Sequence, residues 1–384
     1  MRTVAVVGAS LAGLSAVRAL RAQGYDGRVV VVGDEPHRPY DRPPLSKEFL
    51  AGTLREADLA LEADGEDLDA QWLLGVRATG LDLTAGAREV LLADGRRVAA
   101  DGVVIATGAA ARTLPGAENL AGVHTLRTLD DARALRAELA LGGRLVVIGG
   151  GFVGAEVAST AQALDLDTTV IEAAATPLAG PLGAEMGSVV SSLHTAHGVR
   201  LLCGVGVKGL SGERRVDAVL LEDGRSIPAD LVVVGVGAQP CVEWLTGSGV
   251  PLDNGVKCGA DGRTGVPGVV AVGDCANWYD PRTGGHRRVE HWSGALERPA
   301  AAVAALLGAS PSAPRPPYFW SDQYGVRIQF TGHAAGADSV TVEAGTADGR
   351  DILAVYRRGE TPVAVLGMNQ PRLFTRWRKQ LAAA

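Results

Sequence analysis

Cysteine and aromatic residues are scarce in this chain. Four cysteines, Cys203, Cys241, Cys258 and Cys275, are spread over 384 residues, alongside six Trp, six Tyr and five Phe. None of the cysteines forms C-x-x-C or a close metal-binding pair, so zinc, an iron–sulfur centre and a local redox disulfide all read as absent. Such cysteine usage fits a reducing cytoplasm. Positive charge is not in excess either: the net charge is −6, which argues against a generally basic nucleic-acid binder. No apolar run approaches the roughly 18 residues needed for a membrane span. The N-terminal MRTVAVVGAS goes straight into an apparent strand, without the charged-then-apolar pattern of a signal segment.

Glycine, in contrast, is abundant. The chain has 51 glycines, well above the usual share of roughly 7%, and no strict G-X-Y period, which excludes collagen. Hydrophobic content is 47% and charged content 21%, enough to bury a core. The length suggests two or three domains. Much of the apolar content is Ala, Val and Leu, which suits closely packed α/β layers.

A strand–glycine–helix unit occurs twice. The first reads VAVVGASLAGLSAVRALRAQG and then RVVVVGDE; the second reads RLVVIGGGFVGAEVASTAQAL and then TTVIEAA. Each opens on an apolar β-branched run typical of a parallel strand buried on both faces. A glycine turn, a helix and a second strand ending in acid follow, making two βαβ units. Further strand candidates are Val103–Ala106, Leu231–Val236 and Val269–Val272. The segments DGRRVAADGVVIATG and DGRSIPADLVVVGVG also resemble each other, so the two units are expected to close alike. The stretch SPSAPRPP (310–317) reads as a linker. Beyond it, VRIQFTG, SVTVEAG, DILAVYRR and PVAVLGMN predict an antiparallel sheet, followed by a helix over 372–383.

In the second unit Gly149, Gly151 and Gly154 form a full G-x-G-x-x-G between strand and helix. The first glycine permits the tight turn, the second admits a pyrophosphate to the backbone, and the third lets helix and strand pack closely. Amides at the helix start supply a partly positive anion site. Glu172, at the end of the next strand, is placed to accept both ribose hydroxyls. It would repel a 2′-phosphate, and Ala173, Ala174 and Ala175 offer no cation, so NADH is expected over NADPH. The first unit has Gly8, Ser10 and Gly13, with serine at the middle position. Asp34 is the candidate for its ribose contact and Glu35 the rival.

The loop PYDRPPLSKEFL (39–50) resembles the flavin-binding segment of the NADH-dependent, FAD-containing ferredoxin reductases, which serve cytochrome P450 and Rieske-type oxygenase systems. The resemblance runs through IATGAAAR (105–112), LRTLDDA (126–132), VVIGGGFVGAEVA (146–158), VAVGDCA (270–276), VEHWSGALE (289–297) and FWSDQYG (319–325). It implies an α/β chain with two Rossmann-like dinucleotide-binding domains in a glutathione-reductase-like arrangement. The FAD domain would be discontinuous, over 1–108 and 232–313, with an NAD domain at 109–231 and a small α+β C-terminal interface domain at 314–384.

It also implies roles for single residues. Ala12 would leave room for the FAD pyrophosphate. Arg42, Ala78, Thr107, Gly108, Arg127 and Gly273 would belong to the flavin site, Ala78 at the adenine and Arg127 near the flavin ring. Asp274 would bond the ribityl chain and the Trp292 backbone N–H the pyrimidine end. Lys47 would stabilise reduced flavin, with Glu156 as its partner, since a buried lysine without one is costly. Trp320 would gate the nicotinamide or line the electron path. His291 reads as a packing residue, because hydride transfer to flavin needs no general base, and all four cysteines read as structural. Arg287, Arg288, Arg298 and the basic tail Arg372, Arg376, Arg378 and Lys379 are candidates to receive an acidic partner.

The implied function is transfer from NADH through FAD to a [2Fe–2S] ferredoxin in a transient electrostatic complex, by a cytoplasmic monomer or homodimer. Two oxidoreductase alternatives lack their thiols. An NADH oxidase or peroxide reductase would need a cysteine where Leu45-Ser46-Lys47 stands. A disulfide reductase would need a cysteine pair on the first helix. An NADH-responsive binding module akin to apoptosis-inducing factor is the alternative from another class.

Overall fold

The computed structural model describes residues 1–84, 88–311, 315–346 and 350–383. Residues 312–314 of the expected linker lie outside them. The chain packs as two compact units. The first takes in 1–41, 59–110 and 239–315; the second takes in 42–58, 111–238 and 316–384.

The first unit is built on a five-stranded parallel sheet in the order Val269–Ala271, Gly102–Ile105, Thr3–Val7, Arg28–Val32, Ala70–Leu73. Val4, Ala5, Val6, Val30, Val31, Val103 and Val104 are almost completely shielded. That is why these strands read as unbroken apolar runs: both faces of the sheet are covered. Helix Leu11–Ala22 follows the first strand, and helix Trp292–Leu306 packs against it. The antiparallel strands Ala78–Asp82, Arg88–Leu92 and Arg97–Ala100 precede the return strand Gly102–Ile105.

The second unit repeats this plan. Its parallel sheet runs Arg200–Cys203, Asp167–Glu172, Arg144–Ile148, Leu231–Val234, Val123–His124. Here too three antiparallel strands, Val207–Ser211, Ala218–Leu221 and Ser226–Pro228, precede the return strand. The likeness between the two D-G segments thus marks one architectural step used twice.

The C-terminal sheet is antiparallel, in the order Tyr318–Gln323, Val326–Gly332, Thr361–Met368, Ile352–Arg358, Ser339–Ala344. Its first strand comes from FWSDQYG, which sequence periodicity did not mark as a strand because polar and aromatic residues fill both faces. Helix Pro371–Ala383 lays Phe374 and Leu381 against Leu353, Val355 and Val365. Among the described residues no helix is long and apolar enough to cross a membrane.

Packing divides the chain differently from the sequence expectation. Strand Leu231–Val234 spans the expected 231/232 boundary, yet all of it pairs with Arg144–Ile148. The chain passes between units at 238/239 instead. A return strand belongs with the sheet it completes, and the hairpin before it only resembles a domain end. The loop 42–58 packs with the second unit, where Leu50 joins Leu135, Leu139 and Val157 in one core.

An aromatic cluster around the buried His194 joins helix Ala184–Ala196 to the turn after Tyr318–Gln323. His194 Nδ1 lies 2.7 Å from the Tyr324 hydroxyl, and His197 stacks on the Tyr324 ring at 4.6 Å. Burial pushes His194 down to about 4, from an ordinary value near 6.5. The unfolded chain therefore binds the extra proton first. This contribution to stability is complete above pH 6.5 and is lost as pH falls towards 4, with a ceiling of about 3 kcal/mol. Urea denaturation at pH 7, 5.5 and 4.5 is expected to show that decline, and His194→Phe to flatten it.

Candidate functional site

The second glycine turn separates two jobs by position. A Cβ on Gly149 would sit 2.3 Å from the Gly235 carbonyl oxygen, and φ there is +105°. A Cβ on Gly154 would sit 2.2 Å from the Gly149 oxygen. These two glycines let strand, turn and helix close on one another. A Cβ on Gly151 meets nothing within 4 Å, so steric crowding by the protein does not require glycine there. Gly151 precedes helix Phe152–Ala163 as its N-cap, where backbone amides point outward and the helix dipole favours an anion. Glu172 ends the neighbouring strand. Its Oε2 accepts from the Gly150 amide at 2.8 Å and its Oε1 from the Ala174 amide at 2.8 Å. The carboxylate is thereby pinned beside the turn. Open space at the middle glycine, outward amides and a fixed acid together fit a dinucleotide.

The first unit holds the second such turn. A Cβ on Gly8 would meet the Ala106 oxygen at 2.0 Å, and one on Gly13 the Gly8 oxygen at 1.9 Å. Ser10 stands between them as N-cap of the helix. The helix start also faces a second turn: a Cβ on Gly273 would lie 2.8 Å from Ala12 Cβ. Ala12, Gly273 and Asp274 are thus close together. Asp34 is exposed and accepts from Arg77 Nη2 at 2.9 Å. Glu35 accepts from the Tyr40 hydroxyl at 2.5 Å. Thr107 donates to the Cys241 carbonyl at 2.6 Å, and Gly108 adopts φ +67° beside it. Ala78 opens its strand at a buried position. Trp292 begins its helix, and its indole Nε1 donates to Asp41 at 2.7 Å.

The remaining candidates lie in the second unit. Arg42 donates to the Arg127 carbonyl at 2.5 Å, while the Arg127 amide joins the Asp131 carboxylate that caps helix Leu129–Leu139. Lys47 and Glu156 form an ion pair of 2.7 Å, with side chains only 12% and 6% exposed. Lys47 Nζ also donates to the Pro43 carbonyl at 2.9 Å. Trp320 lies on strand Tyr318–Gln323, half-buried, stacked near Tyr318 and 5.7 Å from the Arg327 guanidinium.

Sequence reasoning missed the hydroxyls around Glu156. Ser46 donates to Oε2 at 2.5 Å and Ser321 to Oε1 at 2.6 Å. Gln323 Nε2 donates to Ser321 at 3.0 Å, and Thr160 holds the Ser46 carbonyl at 2.7 Å. Both serines sit inside segments that carried the resemblance. Only the fold, however, could show that residues 110 and 165 positions from Glu156 meet it.

Four of the candidate partner-facing cations are engaged internally. The Arg288 side chain is 9% exposed and paired with Glu290 at 2.6 Å, and Arg298 lies 4.6 Å over the Trp278 ring, its charge disfavoured by burial. Arg287 donates to Thr283. Arg372, Arg376 and Lys379 are exposed on the terminal helix, while Arg378 folds over Tyr318 at 3.9 Å. All four cysteines are free thiols. Cys258 and Cys275 are buried, and burial pushes both thiols upward. Cys203, expected to be structural, is instead exposed at a strand end.

Residues 2–298 match the family described as pyridine nucleotide-disulphide oxidoreductase, and residues 318–384 the one described as reductase C-terminal. The chain belongs to the pyridine nucleotide-disulphide oxidoreductase family. Membership in that family brings flavin and NAD binding, which the two glycine turns fit. Within it, the chain is 42% identical over 375 residues to the ferredoxin reductase component of chlorobenzene dioxygenase from Cupriavidus sp. (strain PS12), covering 97% of this chain and 90% of that one. It is 35% identical over 380 residues to putidaredoxin reductase from Pseudomonas putida, covering 97% and 89%. The reductase in the covalent putidaredoxin reductase–putidaredoxin complex superposes with a TM-score of 0.95 at 34% identity, over 100% of this chain and 93% of that one.

Proposed function

We propose that this protein is an NADH-dependent ferredoxin reductase. It binds FAD, accepts a hydride from NADH, and passes single electrons to a [2Fe–2S] ferredoxin of a cytochrome P450 or Rieske oxygenase system. The observation that carries this reading is the buried Lys47–Glu156 pair, in a full-length relative of ferredoxin reductases that has no thiol at Leu45-Ser46-Lys47 or on its first helix. Without a thiol relay, electrons leave through the flavin alone.

When bound, FAD supplies the two-electron to one-electron conversion. The chain supplies positions and charges. Gly8, Ser10, Ala12, Gly13, Asp34, Ala78, Thr107, Gly108, Gly273, Asp274 and Trp292 hold the flavin nucleotide. Gly149, Gly151 and Gly154 admit the NADH pyrophosphate, and Glu172 accepts its ribose hydroxyls. Lys47 holds a positive charge for the reduced flavin, Glu156 pairs with it at 2.7 Å, and Trp320 lines the electron path. The exposed Arg372, Arg376 and Lys379 form a cationic face for the acidic ferredoxin.

Stopped-flow spectroscopy tests the whole reading. NADH is expected to bleach the flavin absorbance, and a [2Fe–2S] ferredoxin then to be reduced at a rate that falls with salt. A colourless protein that takes up no FAD refutes the cofactor claim. Rapid bleaching with no transfer to any tested ferredoxin would favour a NADH-responsive binding module. Glu172 makes a separate prediction. The wild type is expected to prefer NADH to NADPH in kcat/KM, and Glu172→Ala to shrink that preference by about tenfold, the worth of a charged hydrogen bond.

A further inference from the structure

We propose that Ser321 is a positioning residue for hydride transfer, acting through Glu156; this rests on the reductase reading above. Glu156 is 5% exposed as a residue, and its two oxygens are held by different parts of the chain. Oε2 takes Lys47 at 2.7 Å and the Ser46 hydroxyl at 2.5 Å, both from the loop 42–58. Oε1 takes the Ser321 hydroxyl at 2.6 Å. Lys47 and Ser46 pull the carboxylate from one side only. Ser321 donates to the other oxygen and fixes the rotation of the carboxylate about its last bond.

Chemistry favours a hydroxyl at this point. A buried carboxylate oxygen without a donor keeps its desolvation cost uncompensated and lets the carboxylate rotate away from Lys47. A hydroxyl donated to Oε1 removes that cost. Ser321 can donate only if its own oxygen is turned correctly, and Gln323 Nε2, donating to that oxygen at 3.0 Å, sets the turn. Gln323 is 1% and Ser321 0% exposed. The relay is built on strand alternation: Ser321 and Gln323 share one face of the strand Tyr318–Gln323, and Trp320 and Asp322 the other. One strand thus carries the candidate electron-path residue on one face and the support of the ion pair on the other.

The test separates this role from flavin chemistry and from simple folding. Carbon-13 NMR of protein labelled at the glutamate carboxyls reads the Glu156 carboxylate directly at pH 7, with Glu156→Gln identifying its resonance. Ser321→Ala is expected to move that resonance, because one oxygen loses its donor, and Ser321→Thr to restore it. In the FAD-loaded enzyme, Ser321→Ala is expected to slow flavin reduction by NADH about tenfold, with KM for NADH within twofold and the rate regained in Ser321→Thr. An unmoved Glu156 resonance in a folded Ser321→Ala protein overturns the proposal, as does failure of Ser321→Thr to restore it. Should the protein refuse flavin, the reductase reading fails while the resonance still decides the role of Ser321.

Discussion

Glu156→Ala is expected to be the most damaging single change outside the backbone turns. It removes the carboxylate from Lys47, whose side chain is 12% exposed. Among the described residues, the ammonium would keep the Pro43 carbonyl and the Ser46 hydroxyl as hydrogen-bond acceptors. Breaking a buried pair from one side costs about 3–5 kcal/mol, because the remaining charge is uncompensated. Two serine hydroxyls and the relay behind them lose their acceptor as well. Urea unfolding at pH 7 reads the stability loss. Glu156→Leu combined with Lys47→Met is expected to recover most of it, since an apolar pair of similar volume replaces a buried ion pair without penalty. Hydride transfer is expected to behave differently. It falls by about a hundredfold in the single variant, by analogy with loss of one preorganised electrostatic group, and the double variant does not regain it. Recovery of both stability and rate in the double variant would mean that the pair serves packing alone.

The second large effect separates two glycines of one motif. Gly149→Ala forces a Cβ to 2.3 Å from the Gly235 oxygen at φ +105°. A non-glycine residue held there costs about 1–3 kcal/mol for its backbone, and the clash displaces the return strand as well. The expected result is a second unit that unfolds early, seen as lost ellipticity and a lowered Tm. Gly151→Ala adds its methyl where, among the described residues, no atom beyond its own chain neighbours lies within 4 Å. Its Tm is expected to stay within about 2 °C, a near-neutral substitution on the usual scale. Its affinity for NADH, read by equilibrium titration, is expected to fall by about tenfold or more, or 1.4 kcal/mol, because the methyl occupies the path of the pyrophosphate. Unchanged affinity in Gly151→Ala would remove the second turn from the NADH site.

Both predictions show what could be read in one dimension. The strand–glycine–helix units are local: β-branched runs make strands buried on both faces, and glycines at the first and last motif positions allow a turn closed by direct backbone contact. Gly8, Gly13, Gly149 and Gly154 are constrained by atoms within their own βαβ unit or the adjoining return strand, so the motif alone implied their packing. Glu172 followed from the same logic, since an acid at the end of the second strand comes to rest beside the turn. The Lys47–Glu156 pair was accessible only through resemblance, because no local rule joins residues so far apart.

The sequence by itself determined two glycine turns, the acids after them, the missing thiols and the repeated sheet plan, because each depends on short-range spacing and on side-chain size. Tertiary structure alone decided which polar atoms surround Glu156, which arginines are spent on Glu290 and Trp278, and where the return strand Leu231–Val234 belongs. Those outcomes depend on contacts between distant segments, where burial favours the pairing of polar groups. Which partner it finds is set by the packing of sheets and helices rather than by spacing along the chain.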